Sequence, residues 1–219
     1  MKALVVGATG RTGRRIVEVL HEKQIPLRAL VRDVEKGKAL LPQGTELVPG
    51  DVGDPASLTA ALADCTVLLC ATGATPSLDF TAPYRVDYLG TQNLINGSQA
   101  AGIEHFVLVS SLCVSQFFHP LNLFWLVLYW KLQAEIDLKG SGLTYTIVRP
   151  GGLLEADNDE PLQVAPADTL FEGRIPRRKV AEVAVQALFQ PAARNRVVEI
   201  ITTPTAAPAT WEELFAGVA

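Results

Sequence analysis

The sequence predicts a single α/β domain built on a doubly wound, mainly parallel sheet of about seven strands. Short apolar runs of strand length alternate with helix-length segments almost from end to end, the pattern of consecutive βαβ units. The 219 residues suit one large domain with a sizeable core. Hydrophobic residues make up 48% and charged residues 19%, which excludes a disordered chain.

The elements follow in order. "KALVVGA" (2–8) is short and β-branched, as a strand buried on both faces should be. From Thr9 to about Lys23 the spacing is helical, with Ile16, Val17, Val19 and Leu20 on one side. "LRALVR" (27–32) and "TELVPGD" (45–51) read as the second and third strands. Asp54 then caps a helix that carries Pro55 at its first position. "TVLLCAT" (66–72), "HFVLVSS" (105–111), "TYTIVRPG" (144–151) and "VVEIIT" (197–202) complete the seven. Helices fill the gaps, among them 84–102 and the last at about 177–189. Such units require right-handed crossovers and a parallel sheet. The segment 152–175 has no clear period and carries the acidic "EADNDE"; it is expected to be an excursion on the substrate side of the sheet. The tail 203–219 opens Pro/Thr/Ala-rich and is expected to run over the surface. There is no internal repeat and no sign of a second domain, so one domain spans 1–219.

A formal charge of −4 provides no basic field for nucleic acid. Arg14-Arg15 and Arg177-Arg178 read as helix-terminal charges. Cys65, Cys70 and Cys113 show no CxxC spacing, so neither a disulfide framework nor a metal site is expected, and a reducing, cytoplasmic-type compartment is. The N-terminus runs straight into a strand, without the pattern of a signal peptide. The longest apolar run, "LFWLVLYW" (123–130), is too short to span a bilayer.

The strongest motif is "VVGATGRTGRRI", which follows the first strand and opens the first helix. Gly7 permits a tight turn, Gly10 a close approach of backbone to a pyrophosphate, and Gly13 close packing of helix on sheet. The helix N-terminus adds free N–H groups and the positive end of its dipole. Thr9, Arg11 and Thr12 complete this expected cofactor loop of a Rossmann fold. The second strand ends on Arg32 where NAD binders carry Asp or Glu, which favours NADP over NAD; Arg11 offers a second cation. The plainer reading pairs Arg32 with Asp33.

"GATGRTG", Gly50-Asp51, "CATGA" (70–74), "VLVSS" (107–111) and "YTIVRPGGL" (145–153) together resemble the short-chain dehydrogenase/reductases. More closely, the chain is similar to their atypical branch: NmrA-like proteins, biliverdin reductase B-type flavin reductases, and plant and cyanobacterial chloroplast-type NADP-binding proteins. That resemblance implies that Asp51 and Val52 border the adenine. It puts Ala71, Thr72 and Gly73 along the cofactor, Pro150, Gly151 and Gly152 at the nicotinamide end, and admits a chloroplast stroma-like compartment. All these positions lie just beyond the carboxyl ends of strands, where open α/β sheets bind ligands.

Active short-chain reductases use Tyr-x-x-x-Lys, whose i, i+4 spacing puts both side chains on one helix face. Here Lys131 is the matching lysine, and the tyrosine position holds Val127. Tyr129 projects roughly 200° away from Lys131 around a helix and cannot substitute. Lys131 is expected to bind the cofactor ribose, or else to pair with Glu135 at i+4. Ser111 (or Ser110) is the candidate substrate-orienting hydroxyl, and His119 a candidate proton donor. Asp87 falls where the fold often places a residue that braces the site; alternatively it faces solvent.

"FFHPLNLFWLVLYW" (117–130) would be apolar on nearly every side of a helix. Phe117, Phe118, Phe124, Trp125 and Trp130 are candidates for an acceptor pocket, a protein-partner surface or a peripheral membrane contact. Two functions follow. One is an NADPH-dependent reductase of a flat aromatic acceptor such as a flavin, quinone or tetrapyrrole, which can take its proton from solvent. The other is a non-catalytic NADP(H) sensor or docking module. Monomer and dimer both stay open.

Overall fold

All seven expected strands form, and they lie side by side as the parallel part of one sheet. The computed structural model describes residues 1–74 and 78–218. The strands are β1 (Ala3–Val6), β2 (Leu27–Val31), β3 (Glu46–Pro49), β4 (Val67–Cys70), β5 (His105–Val109), β6 (Tyr145–Pro150) and, after three further strands, β10 (Arg196–Thr202). Their spatial order is β3-β2-β1-β4-β5-β6-β10, and every neighbouring pair is parallel. The order reverses between β1 and β4, which opens a crevice at their carboxyl ends.

The helices are α1 (Gly13–Glu22), α2 (Val34–Leu40), α3 (Pro55–Leu62), α4 (Gly90–Ala101), α5 (Val127–Gly140), α6 (Arg177–Gln186) and α7 (Trp211–Ala216). Strand residues alternate between two cores, as the two-residue period of a strand requires. Ala3 and Val5 join Ile16, Leu20, Val180 and Ala184 on one face. Leu4 and Val6 join Leu58, Leu62, Leu94 and Leu138 on the other.

Among the described residues the sheet has ten strands, not about seven. The additional ones, β7 (Gly152–Leu154), β8 (Leu162–Pro166) and β9 (Arg174–Pro176), come from the supposed 152–175 excursion. β8 runs antiparallel to β10, from Val198↔Pro166 to Thr202↔Leu162, so the acidic stretch only links two strands. The tail also departs from expectation. Thr210 and Glu213 form a reciprocal capping box that starts α7, and Phe215 and Val218 enter the same core as α1 and α6. Two buried apolar side chains outweigh the loop-like composition before them; Ala219 lies outside the described residues.

The two stretches nearest the site also differ from simple helices. Residues Tyr84–Leu89 form a π-helical turn leading into α4. The 117–130 run is not a helix until Val127. Pro120 starts a short 3₁₀ turn (Pro120–Leu123), and Trp125 and Leu126 both take left-handed backbone angles that break the path.

Candidate functional site

The glycine loop is held by backbone contact. Gly7 has φ of +80°, and a Cβ there would lie 2.7 Å from the carbonyl oxygen of Ala71. A Cβ on Gly13 would lie 2.1 Å from the carbonyl oxygen of Gly7, so α1 begins directly on that carbonyl. Gly10 N donates to the same oxygen at 2.9 Å. Thr12, at the helix cap, makes no side-chain capping bond, so the first turn of α1 keeps N–H groups for an anion. This is a backbone cradle with no room for side chains, and it fits a diphosphate.

Next to it lies a cleft of about 650 Å³. It gathers Gly10, Arg11 and Thr12 from the loop, Ala71, Thr72 and Gly73 after β4, and Ser111 after β5. Lys131 from α5 and Pro150, Gly151 and Gly152 after β6 complete the expected set there. Gly7, Thr9 and Gly13 are not among its lining residues; Gly7 and Gly13 shape the turn behind it. Arg32, Asp51 and Val52 also stand outside the lining, beyond the ends of β2 and β3. Arg32 is 81% exposed, with its Nε 4.0 Å from Asp51 Oδ2. Asp33 is not its partner, because it accepts from Lys36 N and caps α2. Val52 O accepts from Asn93 at 2.8 Å.

Lys131 donates to Asp87 Oδ1 at 2.6 Å, and Asp87 Oδ2 accepts from Ala74 N at 3.0 Å. Asp87 is 3% exposed and sits in the π-helical turn, so it braces the site and does not face solvent. The alternative pairing of Lys131 with Glu135 is not formed. Glu135 is buried and accepts from Ser110 at 2.6 Å and from Arg149 at 2.8 Å. That ties the Ser110 hydroxyl to Glu135; both Ser110 and Ser111 line the cleft. Val127 packs against the small apolar cluster of Leu112, Cys113, Val114, Leu128 and Ile201, of which Leu112 and Cys113 line the cleft. Tyr129 points elsewhere, edge-on to Phe117 and Trp130 at ring-centroid distances of 6.0 and 5.0 Å. Among the described residues, no tyrosine lines the cleft.

His119 does reach the cleft, although its Nδ1 accepts from Leu121 N at 3.2 Å. The lining also includes the apolar side chains of Leu112, Leu121, Leu153 and Phe171. Phe171 was not foreseen, nor was the buried network that fixes its loop. Arg149 bonds Asp168 at 2.8 Å and Glu199 at 3.3 Å. Glu199, 1% exposed, accepts from Asp168 N, Thr169 N and Leu170 N at 2.9, 3.0 and 2.7 Å. Burial works against the Arg149 charge, but the bonds and charge of Glu135 outweigh it and push the guanidinium pKa up. The available signal was a charged residue inside each of two otherwise apolar strands, "TIVRP" and "VVEII".

Of the aromatic run, Phe117, Phe118, Phe124, Trp125 and Trp130 lie outside the cleft lining. Trp125 and Trp130 line a separate surface groove with Phe80, Tyr84 and Leu123, and Phe118 is 96% exposed. No helix among the described residues is long and apolar enough to cross a membrane. All three cysteines are free and buried, and no metal-holding cluster occurs among the described residues.

The sequence pattern of a family described as NAD(P)H-binding matches residues 7–191. The chain belongs to this family. The NAD(P)H-binding assignment agrees with the resemblance to short-chain dehydrogenase/reductases read from the motifs. An uncharacterized chloroplastic protein of Arabidopsis thaliana is 44% identical over 99% of this chain and 82% of its own length. The chloroplastic protein TIC 62 of Oryza sativa subsp. japonica is 36% identical over 98% of this chain, which spans 48% of that protein. Sanguinarine reductase of Eschscholzia californica is 32% identical over 93% of this chain and 90% of that one. Among solved structures, a Bacillus halodurans protein described as an NAD-dependent epimerase/dehydratase superposes with TM-score 0.88, at 26% identity and full coverage of both chains. ChuY of Escherichia coli O157:H7, titled an anaerobilin reductase, superposes with TM-score 0.80, at 27% identity over 95% of this chain and 100% of that one.

Proposed function

We propose that this NAD(P)H-binding protein is an NADPH-dependent reductase of a flat aromatic acceptor: a flavin, a quinone or a tetrapyrrole-like ring. The observation that carries the reading is the cleft floor. Lys131 is held there by a buried carboxylate, while no tyrosine faces it among the described residues. A site so built can fix a nicotinamide ribose but has no phenol to protonate an alkoxide, so it suits acceptors that take their proton from solvent. The bound dinucleotide would supply a hydride. The chain's own task is then to position two ring systems and exclude water, with Lys131 on the ribose, Ser111 as a polar contact, and Leu112, Leu121, Leu153 and Phe171 against the acceptor. Arg32 supports NADP over NAD as an exposed cation at the end of β2. Sanguinarine reductase and ChuY support reductase chemistry by name, and the chloroplastic relatives support a chloroplast-type compartment.

A second reading, an NADP(H)-binding docking module, is favoured by the exposed aromatic face at 117–126 and by similarity to TIC 62. The test is NADPH consumption with flavin mononucleotide, dichlorophenolindophenol and a linear tetrapyrrole. Turnover that falls at least tenfold in Lys131→Met supports the reductase. Tight NADPH binding without turnover on any of the three would favour the docking module.

A further inference from the structure

Glu155 follows β7, far in sequence from the glycine loop, yet one of its oxygens ties two arginines together. Oε1 accepts from Arg11 Nη1 at 2.8 Å and from Arg177 Nε at 2.8 Å. Arg177, the first residue of α6, also donates from Nη1 to Thr12 Oγ1 at 3.0 Å. Arg11, Thr12 and Arg177 all line the cleft, at the turn that leads into α1. Arg177 and its carboxylate partner are not held alike. Arg177 is only 12% exposed, whereas Glu155 is 53% exposed.

We propose that Arg177 is an anion-binding residue for the diphosphate of the bound dinucleotide, and that Glu155 is an internal stand-in for that anion. The inference rests on the dinucleotide reading above. A guanidinium keeps its charge at any working pH, and one this enclosed is stabilised by an anion beside it. Carboxylate and phosphate present the same kind of acceptor oxygens to that planar fork. An exposed carboxylate is loosely held and screened, so a diphosphate seated on the glycine loop can displace it at small cost. Arg177 then reaches the phosphates while keeping Thr12 in place, and Glu155 swings into solvent. The glycine motif does not reveal this residue, because α6 comes beside α1 only in the fold.

The experiment is a fluorescence titration of wild type, Glu155→Gln, Arg177→Gln and Arg177→Lys with both NADPH and NADH, with circular dichroism on each. Glu155→Gln should tighten both dinucleotides by about fivefold. Arg177→Gln should weaken both by about tenfold or more, and Arg177→Lys by less. Should Arg177→Gln not fold, Glu155→Gln still decides. Unchanged or weaker binding in Glu155→Gln overturns the inference, as does an effect confined to NADPH, which would mean that the pair meets the 2′-phosphate. Wild type that binds neither dinucleotide overturns the dinucleotide reading and this inference with it. Wild-type binding with no gain in Glu155→Gln overturns this inference alone.

Discussion

Glu199→Ala tests whether the buried network holds the acceptor wall in place. The carboxylate accepts three backbone N–H groups and one Arg149 nitrogen, and it is 1% exposed. Alanine removes the acceptor of the three backbone N–H groups, while Arg149 Nη1 keeps Asp168. Removing one member of a buried charged cluster costs about 3–5 kcal/mol. Arg149 retains Glu135 and Asp168, so the loss should sit at the lower end, about 3 kcal/mol. For a chain of this length that lowers Tm by roughly 6–12 °C. Urea unfolding followed by circular dichroism gives the difference from the midpoint at constant slope. Glu199→Gln keeps an acceptor oxygen for the loop and should lose less. Because the anchored loop leads into Phe171, the alanine variant should also show a raised KM for the acceptor with unchanged dinucleotide affinity. An alanine variant within about 1 kcal/mol of wild type, at the same slope, would refute the reasoning.

Three further outcomes are expected. His105 is buried and its Nε2 lies 2.9 Å from Thr146 Oγ1, whose own proton goes to Ala193 O, so Nε2 is the donor of that pair. Burial first, then Arg194, pushes its pKa down to about 4. The unfolded chain gains this proton near pH 6.5 and the folded chain only near pH 4, so stability should fall as pH drops through that window. The total loss is at most about 3 kcal/mol, and denaturation midpoints for His105→Gln should lack this part of the slope. Gly13→Ala puts a methyl 2.1 Å from Gly7 O; it should cost about 2 kcal/mol and most NADPH binding, and wild-type affinity would sink the reading of the loop. Arg32→Ala should weaken NADPH by about tenfold and leave NADH unchanged in parallel titrations; equal losses for both would overturn NADP selectivity at that residue.

What the sequence by itself determined is what local pattern encodes. Seven mostly apolar runs of strand length became seven parallel strands; the inner ones are largely buried, as their apolar content demands, whereas the edge strand β3 is partly exposed. The glycine loop and the residues beyond β4, β5 and β6 were legible because their geometry follows from chain order and handedness. The missing tyrosine was legible too, since i, i+4 spacing fixes a helix face without reference to anything else. Tertiary structure decided the rest. β8 carries a weak period and is a strand only because β10 offers it hydrogen bonds. Lys131 had two carboxylates within plausible reach, and the choice of Asp87 over Glu135 was made by Arg149, which claims Glu135 from another strand. Phe171 and Arg177 enter the cleft through elements distant in sequence. A charged group chooses its partner by three-dimensional proximity and burial, and neither quantity is a property of sequence spacing.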